Sequence, residues 1–223
     1  MTIITQLTHL LAPDYCCKCQ KTGQIICQSC EEDIISEPFS QCLVCLKPTQ
    51  PSQLCRHCKS RFNDAWVVGE RAGTIEKLVD ISKYESNRRG CQAQARLMDA
   101  MLPQLPSDVI VVPIPTIDRH IRQRGYGHME LVARELSRLR DYRAEVILGR
   151  IGSSVQHGAD KATRQRQAKR AFNLRRHPPT TAPLLLIDDV YTTGATLRAA
   201  TKLLRQHTEA PIYVAVTSRQ LLD

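Results

Sequence analysis

The chain has 223 residues, 42% of them hydrophobic and 24% charged, with a formal net charge of +9. This length holds one full domain and a small companion, and the composition is that of a globular protein, not a disordered or fibrous one. No stretch approaches the roughly 20 consecutive apolar residues of a membrane-spanning helix.

Residues 1–14 lack a basic leader, and Ile4, Leu7, Leu10 and Leu11 recur at helical spacing. The spacing predicts a short amphipathic helix over 1–15 rather than a signal peptide. Ten cysteines without such a signal point to a reducing, cytoplasmic setting and to metal rather than disulfides.

Residues 16–58 carry four C-x-x-C pairs: Cys16/Cys19, Cys27/Cys30, Cys42/Cys45 and Cys55/Cys58. Each turn aims two thiolates at one ion, and two turns complete a tetrahedral S4 site. The simplest expectation is a double zinc-ribbon domain over 16–60 holding two structural Zn²⁺ ions. The sequential sets are then Cys16, Cys19, Cys27, Cys30 and Cys42, Cys45, Cys55, Cys58. An interleaved pairing, first block with third and second with fourth, also fits the spacing. The segment has few large apolar residues, so metal is expected to supply its folding energy. Cys17 is the odd thiol here, His57 reads as a bystander, and Cys91 reads as a small buried apolar residue.

From 61 onward, apolar strands alternate with helical patterns. A strand is expected at 65–69, helices at 74–83 and 90–101, and a strand at 109–112. Lys83 and Tyr84, between the two helices, are candidate ligand contacts. Pro113, Ile114, Pro115 and Thr116 form a rigid loop directly after a strand. Residues 119–128 are basic, glycine-bearing and without apolar periodicity, which suits a mobile loop closing over an anion through Arg122 and Arg124. A helix at 129–139 and a strand at 145–148 follow. Residues 160–171 read as a very basic helix, and residues 212–216 as the last strand. The segment 119–176 holds thirteen Arg and two Lys against five acids, so the whole positive excess lies there and calls for a polyanionic ligand. Arg164, Arg166, Lys169 and Arg170 are the candidate nucleic-acid track. The expected fold is α/β, a mainly parallel sheet with helices on both faces, preceded by the small zinc-ribbon domain.

The most informative stretch comes late. Residues 184–187 are an apolar run short enough for a strand buried on both faces. Asp188 and Asp189 follow, then Thr192, Thr193, Gly194, Ala195 and Thr196, then a helical pattern over 197–206. A helix N-terminus offers unpaired N–H groups to phosphate, Gly194 allows close approach, and the threonines add hydroxyl donors. Carboxylates at a strand's C-terminal end accept from sugar hydroxyls. The residues therefore imply a sugar phosphate. A Walker-type ATPase needs a glycine-rich lysine loop, and the chain has none.

Asp188 through Thr196 behind an apolar strand resembles the phosphoribosyl pyrophosphate (PRPP) motif of type I phosphoribosyltransferases. Adding the Pro-x-Pro after the earlier strand, Arg122-x-Arg124-Gly125-Tyr126, Gln156, Arg164 and Ala171-Phe172, the chain resembles the ComF/GntX family along nearly its whole length. It departs at Gly127-His128, where the family has Asn-Gln, and at Gln167, where it has Asn. The resemblance implies a phosphoribosyltransferase-like domain over 61–223. In it the 5′-phosphate would sit on 192–196 and the ribose hydroxyls on Asp188 and Asp189. The pyrophosphate would lie against 113–116, Arg122 and Arg124, with Mg²⁺ carried by PRPP. It also implies a link to natural transformation, either as a transferase or as a non-catalytic adaptor for single-stranded DNA and competence proteins.

Overall fold

The structure, a computed structural model, describes residues 13–50, 54–59, 62–84, 87–151 and 171–221. In chain order the elements are α1 (Gln28–Ser36), β1 (Asp64–Glu70), α2 (Gly73–Tyr84), α3 (Arg88–Met101), β2 (Ile110–Pro113), α4 (Asp118–Arg124) and α5 (His128–Arg140). They continue with β3 (Arg143–Ala144), β4 (Leu148–Arg150), β5 (Phe172–Leu174), β6 (Leu184–Tyr191), α6 (Ala195–Leu204) and β7 (Ile212–Arg219).

Five strands make an all-parallel sheet in the order β1–β7–β6–β2–β3, and β4 and β5 form a separate antiparallel pair. The central strand β6 is the apolar run read from the sequence, and Leu184, Leu185, Leu186 and Ile187 are all fully buried. Because side chains alternate along a strand, this one run feeds two cores. Leu185 and Ile187 pack with Val111, Trp66 and residues of α3 and α5 such as Leu97 and Leu136. Leu184 and Leu186 pack with Val112, Val67, Val214 and residues of α6 such as Leu197 and Leu204. Covering both faces is what a purely parallel sheet requires, so the expected class is the one found.

The cysteine segments share these cores, one on each side. Cys16, Ile25, Ile26 and Cys30 join the α3 side, whereas Cys42, Leu43, Leu54 and Cys58 join the α6 side. Each segment has only a few large apolar residues, and it buries them on the sheet domain rather than on each other.

Several local expectations are corrected. The strand at 184–187 runs on through both carboxylates to Tyr191, because Asp188, Val190 and Tyr191 register with Val216, Ser218 and Arg219 of β7. The loop expected over 119–128 contains α4, which Gly125 ends in the left-handed conformation at φ 79° with its N–H on the Ile121 carbonyl. The strand expected at 145–148 is not found: 145–147 lie between β3 and β4 and only Leu148 belongs to a strand, and α1 has no counterpart in the expected pattern. Helix 1–15 falls almost wholly outside the described residues, as do 160–170 of the basic helix with Arg164, Arg166, Lys169 and Arg170. Among the described residues no helix is long and apolar enough to cross a membrane.

Candidate functional site

A cleft of about 280 Å³ opens at the C-terminal ends of β2 and β6, lined by Asp188, Asp189, Thr116, His128, Lys83 and Arg124 among others. This is where open α/β sheets bind ligands. The two carboxylates are sequence neighbours in one strand, so they leave it on opposite faces. Asp189 takes the α3 side and is only 7% exposed. The Lys83 ammonium lies 2.9 Å from its Oδ1, and His128 Nε2 bonds its Oδ2. Burial alone lifts the Asp189 pKa, but the His128 hydrogen bond and the Lys83 charge outweigh it and hold the carboxyl well below the usual range. Asp188 accepts the Asp189 backbone N–H at 2.9 Å. Its carboxyl is pushed up to about 8 by burial and then by repulsion from Asp189. The acidic pair is therefore unequal, one member firmly ionised and the other readily protonated.

The hydroxyl-rich turn follows β6. Gly194 has φ 72° and precedes the first residue of α6. A Cβ there would lie 2.1 Å from the Tyr191 hydroxyl, so both backbone conformation and space demand glycine. Arg219, at the end of β7, is 5% exposed. Its guanidinium lies over the Tyr191 ring at 4.9 Å and donates to the Thr192 carbonyl at 2.7 Å and the Tyr191 carbonyl at 3.2 Å. The turn is thus tied down from behind by a buried cation. Thr192 and Thr196 line the cleft.

On the opposite wall the Ile114 N–H bonds the Ile187 carbonyl at 2.9 Å, which anchors the loop after β2 to the central strand. Ile114, Pro115 and Thr116 line the cleft, and Thr116 Oγ1 lies 3.1 Å from His128 Nδ1. Arg124 lines it too, with its guanidinium 5.4 Å from the Tyr84 ring centre. Arg122, two residues earlier, is exposed, because side chains at i and i+2 leave a helix in different directions. Residues 113, 193, 194 and 195 frame the two loops without themselves lining the cleft.

The sequence reading missed His128 and Arg150, both of which line the cleft. In the sequence His128 stands out only as a departure from the family's Gln, and no spacing links it to Asp189, 61 residues away. Arg150 sits at the end of a strand too short to be read.

Each sequential cysteine set brings its four Sγ atoms within 4.8 Å of one another, which overturns the interleaved pairing. Cys19 and Cys27 Sγ are 3.6 Å apart, as are those of Cys45 and Cys55. Four sulfurs tetrahedrally around zinc at about 2.3 Å stand roughly 3.8 Å apart, so both sets fit the ion. The thiols of the first set differ: burial raises Cys16, but backbone N–H groups of Cys19, Cys27 and Lys18 outweigh it and bring it to about 6, whereas burial and the neighbouring thiols push Cys30 well up. Cys17 stays out of the set; it is buried and its thiol is pushed up to about 11 by that burial. Cys91 is fully buried in α3, and His57 is exposed and not part of either set.

No family model matches the chain. Among solved structures, a hypoxanthine phosphoribosyltransferase from Staphylococcus aureus overlaps with a TM-score of 0.32 and 11% identity, over 67% of this chain and 75% of that one; so loose an overlap carries no weight. Curated relatives are more informative. Competence protein ComFC of Bacillus subtilis is 24% identical over 202 residues, 85% of this chain and 82% of that protein. Competence protein F of Haemophilus influenzae is 29% identical over 198 residues, 81% and 84% of the two chains. DNA utilization protein YhgH of Escherichia coli K12 is 25% identical over 230 residues, 95% of this chain and all of that one. With both metal-ready cysteine sets and the parallel-sheet cleft on one chain, and relatives aligned over most of its length, the protein is a relative of the ComF competence proteins.

Proposed function

We propose that the cleft binds PRPP and that the protein transfers its phosphoribosyl group, releasing pyrophosphate, in the handling of imported DNA in the cytoplasm. One observation carries this reading most. Thr192 and Thr196, which flank a glycine-dependent turn at a helix N-terminus, line one cleft with an ionised carboxylate, and these are the two parts a sugar phosphate needs. The 5′-phosphate sits on the turn after β6. Asp189, and Asp188 once deprotonated, take the ribose hydroxyls and favour the positive charge that develops on the ring as pyrophosphate leaves. The loop after β2 and Arg124 receive the pyrophosphate. Mg²⁺ travels on the oxygens of the ligand. Acceleration comes from positioning and electrostatics rather than a covalent intermediate.

The test is pyrophosphate release from PRPP and Mg²⁺ by zinc-loaded protein, with nucleobases as acceptors and single-stranded DNA present or absent. Release that depends on one acceptor and disappears in Asp189→Asn supports the transferase. The same variant should weaken PRPP binding by about tenfold to a hundredfold, the range for a hydrogen bond to a charged group. The names of the relatives, competence and DNA utilization proteins, favour a second reading: an adaptor that binds single-stranded DNA and uses the cleft to sense PRPP. PRPP binding without turnover under any acceptor selects it.

A further inference from the structure

We propose that Asp189, His128 and Thr116 form a proton relay that opens on the cleft and serves the oxyanion departing at the loop after β2. The inference rests on the transferase reading. The three side chains are joined in series, Asp189 Oδ2 to His128 Nε2 and His128 Nδ1 to Thr116 Oγ1 at 3.1 Å. All three are under 9% exposed yet line the cleft. They come from three elements: the central strand, the first residue of α5, and the loop that follows β2.

Hydrogen counting fixes what the series does. Asp189 is ionised and only accepts, so His128 Nε2 carries a hydrogen and donates to it. In the neutral ring Nδ1 is then a lone pair, and the hydroxyl hydrogen of Thr116 is committed to it. When the ring takes a second proton, Nδ1–H donates to Thr116 Oγ1. The hydroxyl hydrogen is released to an oxygen in the cleft. As the ribose C1–O bond breaks, its electron pair stays on pyrophosphate. That oxygen takes the Thr116 hydrogen, Oγ1 takes the Nδ1 hydrogen, and the ring returns to neutral. One proton has moved from imidazolium to the leaving group, and Asp189 is unchanged.

The surrounding charges set when the proton arrives. Lys83 on α2 shares the Asp189 carboxylate at 2.9 Å, and Arg124 and His120 on α4 and Arg150 on β4 line the same cleft. Lys83, Arg124 and Arg150, with Arg71 of the same cleft and the helix N-terminus on which His128 sits, are the positive charges around the ring. The Asp189 carboxylate bonded to Nε2 and Glu130 in the first turn of α5 are the negative ones. A polyanion in the cleft offsets the cations, so proton uptake accompanies its binding.

Calorimetry of inorganic pyrophosphate with Mg²⁺, in two buffers of different ionisation heat, reads this uptake directly. His128→Gln keeps a donor for Asp189 and an acceptor for Thr116 but does not titrate. Wild type should take up more protons than H128Q near neutral pH, by up to about one per site, since the ligand's own ionisation is common to both. Equal uptake overturns the relay. Thr116→Val should weaken pyrophosphate binding by about tenfold or more, and Thr116→Ser should restore it; an unaffected T116V also overturns the relay. If neither pyrophosphate nor PRPP binds wild type, the transferase reading itself falls. Binding with equal uptake removes only the relay.

Discussion

Asp188 and Asp189 are adjacent residues of one type, yet their surroundings drive their protonation in opposite directions. The carboxyl of Asp188 is raised to about 8 by burial and by its neighbour. The folded chain therefore holds this proton more tightly than the unfolded chain does. The stability linked to it is complete below the ordinary carboxylate pKa and is lost as pH rises through about 8. Asp188→Asn should flatten that fall and raise the melting temperature at the alkaline end relative to wild type. Melting curves of the ligand-free protein between about pH 5 and 9 check this; parallel curves for the two proteins would remove Asp188 as the cause. Asp189 runs the other way, its stabilisation present above the ordinary carboxylate pKa and lost only as acid reaches its depressed folded value. None of this difference is visible in the sequence, where the pair reads as two equivalent acids. It arises from Lys83 and His128, which lie far from the motif along the chain.

At the scale of elements, the turn between β6 and α6 was legible because its chemistry is local. An apolar run, a glycine and a helix pattern within fourteen residues encode strand, left-handed turn and phosphate-ready N-terminus. Gly194→Ala should cost more than about 1 kcal/mol, the usual penalty for a left-handed residue that gains a side chain, and the contact with Tyr191 adds to it. PRPP binding should fall with it, whereas the cysteine sets should keep their metal; unchanged stability in a denaturant titration would contradict the geometry. Helix α4 was not legible, since seven residues without an apolar stripe give no periodicity to read. What makes it a helix is the Gly125 cap, and its effect is to separate Arg124 from Arg122.

At the scale of the whole molecule, the cysteine segments are joined to the sheet. The cysteine sets were legible from spacing alone, but their placement was not, because the few apolar residues that direct it, such as Ile26 and Leu43, name no partner. In the structure each set shares a core with one face of the sheet, and Arg96 of α3 holds Glu31 of α1 at 3.0 Å. Cys27→Ser should therefore do more than release one equivalent of the two zinc ions. It should also lower the melting temperature of the sheet domain, an effect seen by following the near-ultraviolet signal of Trp66, which shares that core. Retention of both ions would refute the ligand set. A sheet that melts unchanged would refute the shared core.

The strand order has a consequence for biosynthesis. β1 is the first strand of the sheet to leave the ribosome, and its ladder partner is β7, the last, with Asp64 opposite Tyr213. At the usual pace of synthesis, about 5–20 residues per second, that partner follows roughly seven to thirty seconds later. Through that interval the apolar strand containing Trp66, Val67 and Val68 has no sheet to join. The cysteine segments made just before it are the part of the chain already present to shield it, so an ion held by their cysteine sets would act on the fold before the sheet is complete.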